Sequence, residues 1–148
     1  NLPPTPLAEA AELVSLLELL TEAQQEANQG RWPEAEVLCE RMLKRDPLLV
    51  RAHYLLAQIR EHQADFDGAL AAYRRTIYLD RTFVMGTLGM GHIWRQKGRI
   101  ADAQRCYRNA LAQLTQLPAT ARPAGAEHIS AAELIEVVKQ LQSILEQP

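Results

Sequence analysis

The sequence predicts an all-α protein, three helix–turn–helix pairs stacked into a superhelix and closed by one further helix. Three observations predict it. First, residues of matched size recur every 34 positions, as in Gly30, Ala64 and Gly98, in Ala35, Ala69 and Ala103, in Cys39, Tyr73 and Tyr107, and in Leu43, Ile77 and Leu111. A fixed period of this length marks one supersecondary unit repeated along the chain. Second, the 148 residues are rich in Ala, Leu, Glu, Gln and Arg, and no β-branched run alternates with period two, so helix is favoured throughout. Third, the ladder stops after Leu117, and a separate helix start follows at Ser130.

Thr5-Pro6 opens the first helix, a hydroxyl cap followed by a proline whose missing N–H costs nothing at that position. The helix runs to about Asn28 and stops at Gly30, which suits the left-handed conformation that ends helices. Pro33 restarts the chain, and the second helix ends before Pro47. The second pair covers roughly 49–63 and 66–79 with its turn at Ala64-Asp65, and the third roughly 83–97 and 100–115 with its turn at Gly98. The repeats therefore fall at about 16–49, 50–83 and 84–117, within one domain covering 1–148. Ala23, Ala57 and Gly91 form a fifth ladder, facing Ala35, Ala69 and Ala103, where larger side chains would overpack the seam between paired helices.

Residues 118–129 read as a linker without periodicity. Ser130-Ala-Ala-Glu133 then makes a capping box, with Ile129 and Leu134 placed as a hydrophobic staple. The closing helix, 130–147, carries Leu134, Val138, Leu141 and Leu145, flanked by Ile135, Val137 and Ile144. That stripe is too wide to face water. It must dock on the repeats, inside their groove, or on another molecule.

Composition narrows the function. An apolar fraction of 47% is globular, and no run of 18 apolar residues exists to enter a membrane. Cys39 and Cys106 are too few for a disulfide framework and fall on core faces, which predicts buried reduced thiols and a cytoplasmic setting. The start at Asn1 has neither Met nor a leader pattern, and we expect a piece of a longer protein. The net charge of −2 is unevenly spread: residues 1–40 carry eight acids and one base, whereas residues 41–108 carry thirteen bases and six acids. A basic middle suits an acidic helix or peptide. Nucleic acid is not expected, because no aromatic residues are interleaved with the bases.

Set against known patterns, each pair resembles the tetratricopeptide repeat (TPR). Ala23, Gly30, Ala35, Leu43 and Pro47 carry the resemblance in the first unit, and Leu56, Ala57, Phe66, Ala69, Tyr73 and Ile77 in the second. Gly91, Trp94, Gly98, Ala103, Tyr107, Ala110 and Leu111 carry it in the third. Arg81, Thr115 and Ala64 depart from the pattern. More narrowly, Leu88–Leu111, the leucine-rich 114–117 segment, the Pro-containing linker and the Ser130–Leu145 helix resemble the C-terminal region of CheR-type chemotaxis methyltransferases. The Frz-type enzyme of gliding bacteria is one specific case. That resemblance implies a parent protein that methylates chemoreceptor glutamates with S-adenosylmethionine, a cofactor that would sit in a catalytic domain absent from this chain. It implies a regulatory, partner-binding role for the repeats. A free-standing adaptor or scaffold in secretion or pilus assembly is the alternative, and a spacer without a ligand is a third.

No catalytic chemistry is expected of the chain itself. His53, His62, His92 and His128 lack metal-ligand spacing. Asp65-Phe-Asp-Gly68 lacks the closing Glu of a calcium loop. Gly86, Gly89 and Gly91 do not follow a strand and lack the dinucleotide-binding spacing. No cofactor or metal is expected.

Binding is expected on the concave face lined by the first helix of each pair. Carried over from the family, its positions are Gln24 and Asn28, then Arg51, Tyr54, Gln58 and His62, then Met85, Leu88, His92, Arg95 and Gln96. The set lacks the Lys/Asn clamp of chaperone-tail receptors. Gly89 is added because a glycine inside a helix costs about 1 kcal/mol unless space is needed. The expected occupant is the closing helix itself or a partner helix that competes with it, such as a chemoreceptor segment or the parent's catalytic domain. The other reading of the closing helix is a cap on the exposed apolar face of the last repeat.

Overall fold

The computed structural model describes residues 1–147 and contains seven α-helices and no strand among them; Pro148, the last residue of the predicted domain, lies outside the described residues. In order they are α1 (Pro6–Asn28), α2 (Trp32–Arg45), α3 (Val50–His62), α4 (Phe66–Leu79), α5 (Val84–Gln96), α6 (Ile100–Thr115) and α7 (Ala131–Glu146). The architecture is the all-α repeat superhelix that the 34-residue ladder predicts. Consecutive helices pack pairwise, α1 on α2, α3 on α4 and α5 on α6, and α7 packs on α6.

Local chemistry sets the helix ends. The Ala8 N–H donates to Thr5 Oγ1 at 3.1 Å, so the hydroxyl closes the start of α1. The Gly68 N–H donates to Asp65 Oδ1 at 3.0 Å, which makes Asp65 the cap of α4. At α7 the Glu133 N–H donates to Ser130 Oγ and the Ser130 N–H to Glu133 Oε1, the reciprocal capping box. Ile129 packs into the same apolar cluster as Leu134.

The three intra-pair turns share one backbone shape. Gly30 and Gly98 have φ of 75° and 74°, and Ala64 takes φ of 59° at the equivalent place. A Cβ in this region is sterically disfavoured. Ala64 therefore accepts strain that the other two turns avoid.

Small residues hold the seams. Ala23, Ala35, Ala57, Ala69 and Ala103 are fully buried, and a Cβ on Gly91 would lie 2.7 Å from Tyr107 Cε1. Close helix approach depends on these positions remaining small. The core is two clusters. One runs from Leu16 on α1 through Met42, Ile59 and Tyr73 to Phe83 and Ile93. The other joins Leu88, Tyr107 and Leu114 to Ala131, Leu134 and Val138 of α7. Cys39 and Cys106 are both buried and free. Burial pushes the Cys39 thiol up to about 12, so it behaves as an apolar filler.

Of the two places open to the closing helix the structure shows the cap, and the expectation for Gly89 needs correction. The closing helix does not lie in the concave groove. Its buried side, Ala131, Leu134 and Val138, covers the apolar face of the last pair, as the end of a solenoid requires. Nor does Gly89 clear space in the groove. A Cβ there would lie 2.7 Å from Tyr73 Cδ1, so this glycine admits the Tyr73 ring from α4.

Candidate functional site

Helices α1, α3 and α5 present one face each to a shared concave surface, and α3 divides it into two halves. Between α1 and α3 the groove is open. Gln24 and Asn28 from α1 and Arg51, Tyr54, Leu55 and Gln58 from α3 line a pocket of about 370 Å³, closed at one side by Gly125 and Glu127. Three of the lining side chains are amides, which donate and accept hydrogen bonds as a peptide backbone does. Tyr54 is 7% exposed, and its ring tilts against Phe83 with centroids 4.9 Å apart. Burial pushes its hydroxyl up to about 12, so it stays a neutral hydrogen-bonding group. The Gln58 Nε2–H reaches toward Tyr54 Oη at 3.4 Å.

Between α3 and α5 the groove is crossed by the chain itself at the end formed by Arg51, Tyr54, Phe83 and Met85. Residues 123–127 of the long α6–α7 connection run across it. Pro123 and Ala126 are buried. Gly125, at φ of 83°, sits so close that a Cβ would lie 3.0 Å from Tyr54, 3.2 Å from Phe83 and 3.3 Å from Met85. Only glycine satisfies both the left-handed backbone and that approach. The Glu127 carboxylate accepts from the Arg51 guanidinium and, at 3.0 Å, from the Gly125 N–H. Burial raises the Glu127 carboxyl, but hydrogen bonds from Arg51 and from backbone N–H groups outweigh it and leave the pKa below its ordinary value. The Arg51 guanidinium also lies 5.7 Å from the Phe83 ring centroid. We call residues 121–127 the strap. Its far end is tied down where the Ala131 and Ala132 N–H groups donate to the Ala121 and Ala119 carbonyls.

The twelve residues expected on this face divide accordingly. Gln24, Asn28, Arg51, Tyr54 and Gln58 converge on the open pocket. His62 stands at its rim, stacked on Trp32 at 4.5 Å between centroids. Met85 lies beneath the strap. Leu88 is a correction: it is 8% exposed and belongs to the core shared with α7. Gly89, as above, backs onto α4. His92 and Gln96 face each other at 3.5 Å, and His92 Nε2 lies 3.3 Å from Glu61 Oε2. Arg95 lies near Tyr107, whose pKa is raised by burial and held back in part by the Arg95 charge.

Sequence reasoning missed Glu61, Gly125 and Glu127. Glu61 is the hub of a polar network, since Tyr73 Oη donates to its Oε1 at 2.8 Å while His92 holds the other oxygen. Gly89 makes this possible by letting the Tyr73 ring pass. A signal for the strap was present in connection length. The chain passes from α2 to α3 over 46–49 and from α4 to α5 over 80–83, but takes 116–130 to reach α7. A connection that long between packed helices covers surface of its own.

The basic middle is largely engaged within the molecule. Arg45 pairs with Glu12, Arg60 with Glu36, Lys97 with Asp67, and both Arg99 and Arg105 with Asp102. Arg74 and Arg99 flank the Trp94 ring at 5.6 Å and 5.3 Å. Among the described residues no group of three His, Cys, Asp or Glu side chains is placed to hold a metal ion. No helix among them is long and apolar enough to cross a membrane.

Comparison with known proteins agrees with this geometry. A tetratricopeptide-repeat family model matches residues 20–82. The human Superkiller complex protein 3 is 30% identical over 93 residues, covering 59% of this chain; the chain spans about 6% of the length of that relative. The type III secretion translocator chaperone SycD of Yersinia enterocolitica superposes with a TM-score of 0.79 at 17% identity, over 96% of this chain and 99% of that one. SycD in complex with a peptide of the translocator YopD superposes at 0.76, also at 17% identity, over 89% and 92%. Residues 20–82 thus match the tetratricopeptide-repeat model, and the chain as a whole has the tetratricopeptide superhelical fold.

Proposed function

We propose that the chain is a protein-interaction module that holds a segment of a partner protein in its concave groove, as an adaptor. The observation that carries this is the open pocket between α1 and α3, where Gln24, Asn28, Arg51, Tyr54 and Gln58 converge on one space. Amides there pair with a peptide backbone without demanding a particular sequence, and Arg51 adds a charge. The likeness to SycD, solved with a peptide of YopD, favours an adaptor or chaperone of the secretion type.

A second reading rests on a different observation. The sequence from Leu88 to Leu111, with the Ser130–Leu145 helix after a proline-containing linker, resembles the end of chemotaxis glutamate methyltransferases. On that reading the same groove regulates a catalytic domain that uses S-adenosylmethionine. The coding sequence upstream of Asn1 separates the two readings, since a methyltransferase domain there selects the second.

The groove itself is tested with peptides selected from a displayed library on the wild-type chain. Gln24→Trp and Asn28→Trp fill the pocket from exposed positions, and together they should weaken those peptides at least about tenfold, or roughly 1.4 kcal/mol. Asn109→Trp, on α6 away from the groove, should leave them unchanged. Equal affinity for all three proteins would remove the groove from the account.

A further inference from the structure

The strap has the properties of a bound peptide. It crosses the concave face, where partners of such folds are expected, as two successive turns: the Ala126 N–H donates to the Pro123 carbonyl at 2.9 Å and the Ile129 N–H to the Ala126 carbonyl at 3.2 Å. It presents small residues to the wall and one carboxylate to Arg51. Its anchoring is uneven. Gly125 is wedged among Tyr54, Phe83 and Met85, whereas the Arg51–Glu127 pair is half-exposed, with side chains 37% and 53% accessible. Exposed pairs contribute little net free energy, so this contact is cheap to exchange for an equivalent one. The strap also borders the open pocket, with Gly125 and Glu127 forming part of the pocket wall. A segment entering between α1 and α3 therefore meets Glu127 first.

Resting on the peptide-holding reading, we infer that the groove takes an acidic segment flanked by small residues, whose side-chain carboxylate replaces Glu127 on Arg51, and that residues 123–127 are an internal competitor for that place. The charge pattern agrees. Arg51 is the one basic side chain that lines the pocket, and Glu127 is the one acid there. The competitor is tethered at both ends, by α6 and by α7. Its effective concentration is therefore in the millimolar range, and an untethered segment binds weakly until the strap is loosened.

The test uses a fluorescent synthetic peptide with the sequence of residues 121–128, and a second peptide carrying Glu127→Gln, titrated against the whole chain. Two variants loosen the strap. Gly125→Leu forces it out by backbone and contact, and Glu127→Gln removes only the exposed carboxylate, leaving the fold intact. The acidic peptide should bind Gly125→Leu about tenfold or more tighter than wild type, and Glu127→Gln severalfold tighter. The Gln peptide should bind Gly125→Leu at least about threefold more weakly than the acidic one, and Arg51→Gln in that background should erase the difference.

Equal binding of the acidic peptide to wild type and both variants overturns the competitor while leaving the groove reading standing. Equal binding of the two peptides to Gly125→Leu overturns the carboxylate requirement. Binding to Gly125→Leu that neither Gln24→Trp and Asn28→Trp in the open pocket nor Met85→Trp beneath the strap weakens places the peptide elsewhere, and sinks the groove reading itself.

Discussion

The two halves of the concave face are built from equivalent repeat positions and have opposite fates. Between α1 and α3 those positions stay open, and Gln24, Asn28 and Gln58 line a pocket that can meet a segment from outside. Between α3 and α5 they are used up. Met85 lies under Gly125, Leu88 is drawn into the core of the last pair, and His92 turns to Glu61. The difference comes from the chain that follows. The long connection that follows the third pair crosses the α3–α5 side of the face and only borders the α1–α3 pocket with Gly125 and Glu127. A repeat position therefore acquires a role from what the neighbouring chain leaves uncovered.

The comparison can be broken most forcefully at the cap. Leu134→Ala removes a buried side chain of α7, 4% exposed, and should cost about 3 kcal/mol of stability in urea unfolding. Because α7 lies on α6 and outside the groove, affinity for groove peptides should change less than about twofold in the variant that remains folded. A large change in affinity would return α7 to the groove.

Gly89→Leu comes next. Helix propensity returns up to about 1 kcal/mol, but overpacking against the Tyr73 ring costs about 1–3 kcal/mol and the Tyr73–Glu61 hydrogen bond is lost as well. The net should be a loss of about 2 kcal/mol in denaturant unfolding. A neutral or stabilised variant would mean that the glycine clears space for a ligand after all.

A smaller effect of opposite sign is expected at the strained turn. Ala64→Gly relieves a φ of 59° and should stabilise by about 0.5–1 kcal/mol, less the added freedom of the unfolded chain. Gly98→Ala should lose a similar amount. Neither should alter peptide affinity, since both turns lie at helix ends away from the pocket.

Two buried groups, Cys39 in the core and Tyr54 in the groove wall, also set a dependence on alkaline pH. Burial raises Cys39 from 9.0 to about 12 and Tyr54 from 10.0 to about 12. The unfolded chain releases these protons first, so their contribution is fully present below about pH 9 and is lost as pH rises toward 12. Thermal melts should hold steady up to pH 9 and then fall. A transition unmoved at pH 11 would contradict the burial of both groups.

Much of the fold was legible because helical packing repeats. Ala35, Ala69 and Ala103 mark the seams, and Thr5, Asp65 and Ser130 act as caps through short-range hydrogen bonds that sequence can register. The site was only half legible. Gln24, Asn28, Arg51, Tyr54 and Gln58 follow from repeat position, but Leu88, equivalent to the similarly buried Tyr54, packs into the core shared with α7 instead of lining the pocket. Gly89 was misread since helical spacing does not say whether a missing Cβ faces the groove or the preceding helix. The strap lies in a segment without periodicity. Its conformation depends on the distant Tyr54, Phe83 and Arg51, and only its unusual length was written locally.

The most direct measurement is a nuclear magnetic resonance titration of the wild-type chain with a library-selected peptide, following side-chain amides. The account predicts shifts at Gln24, Asn28 and Gln58 and at the Gly125 N–H, with Asn109 and Gln113 on α6 unmoved. Shifts confined to Asn109 and Gln113, or a silent Gly125 alongside a filled pocket, would contradict a groove shared between a partner and the protein's own strap.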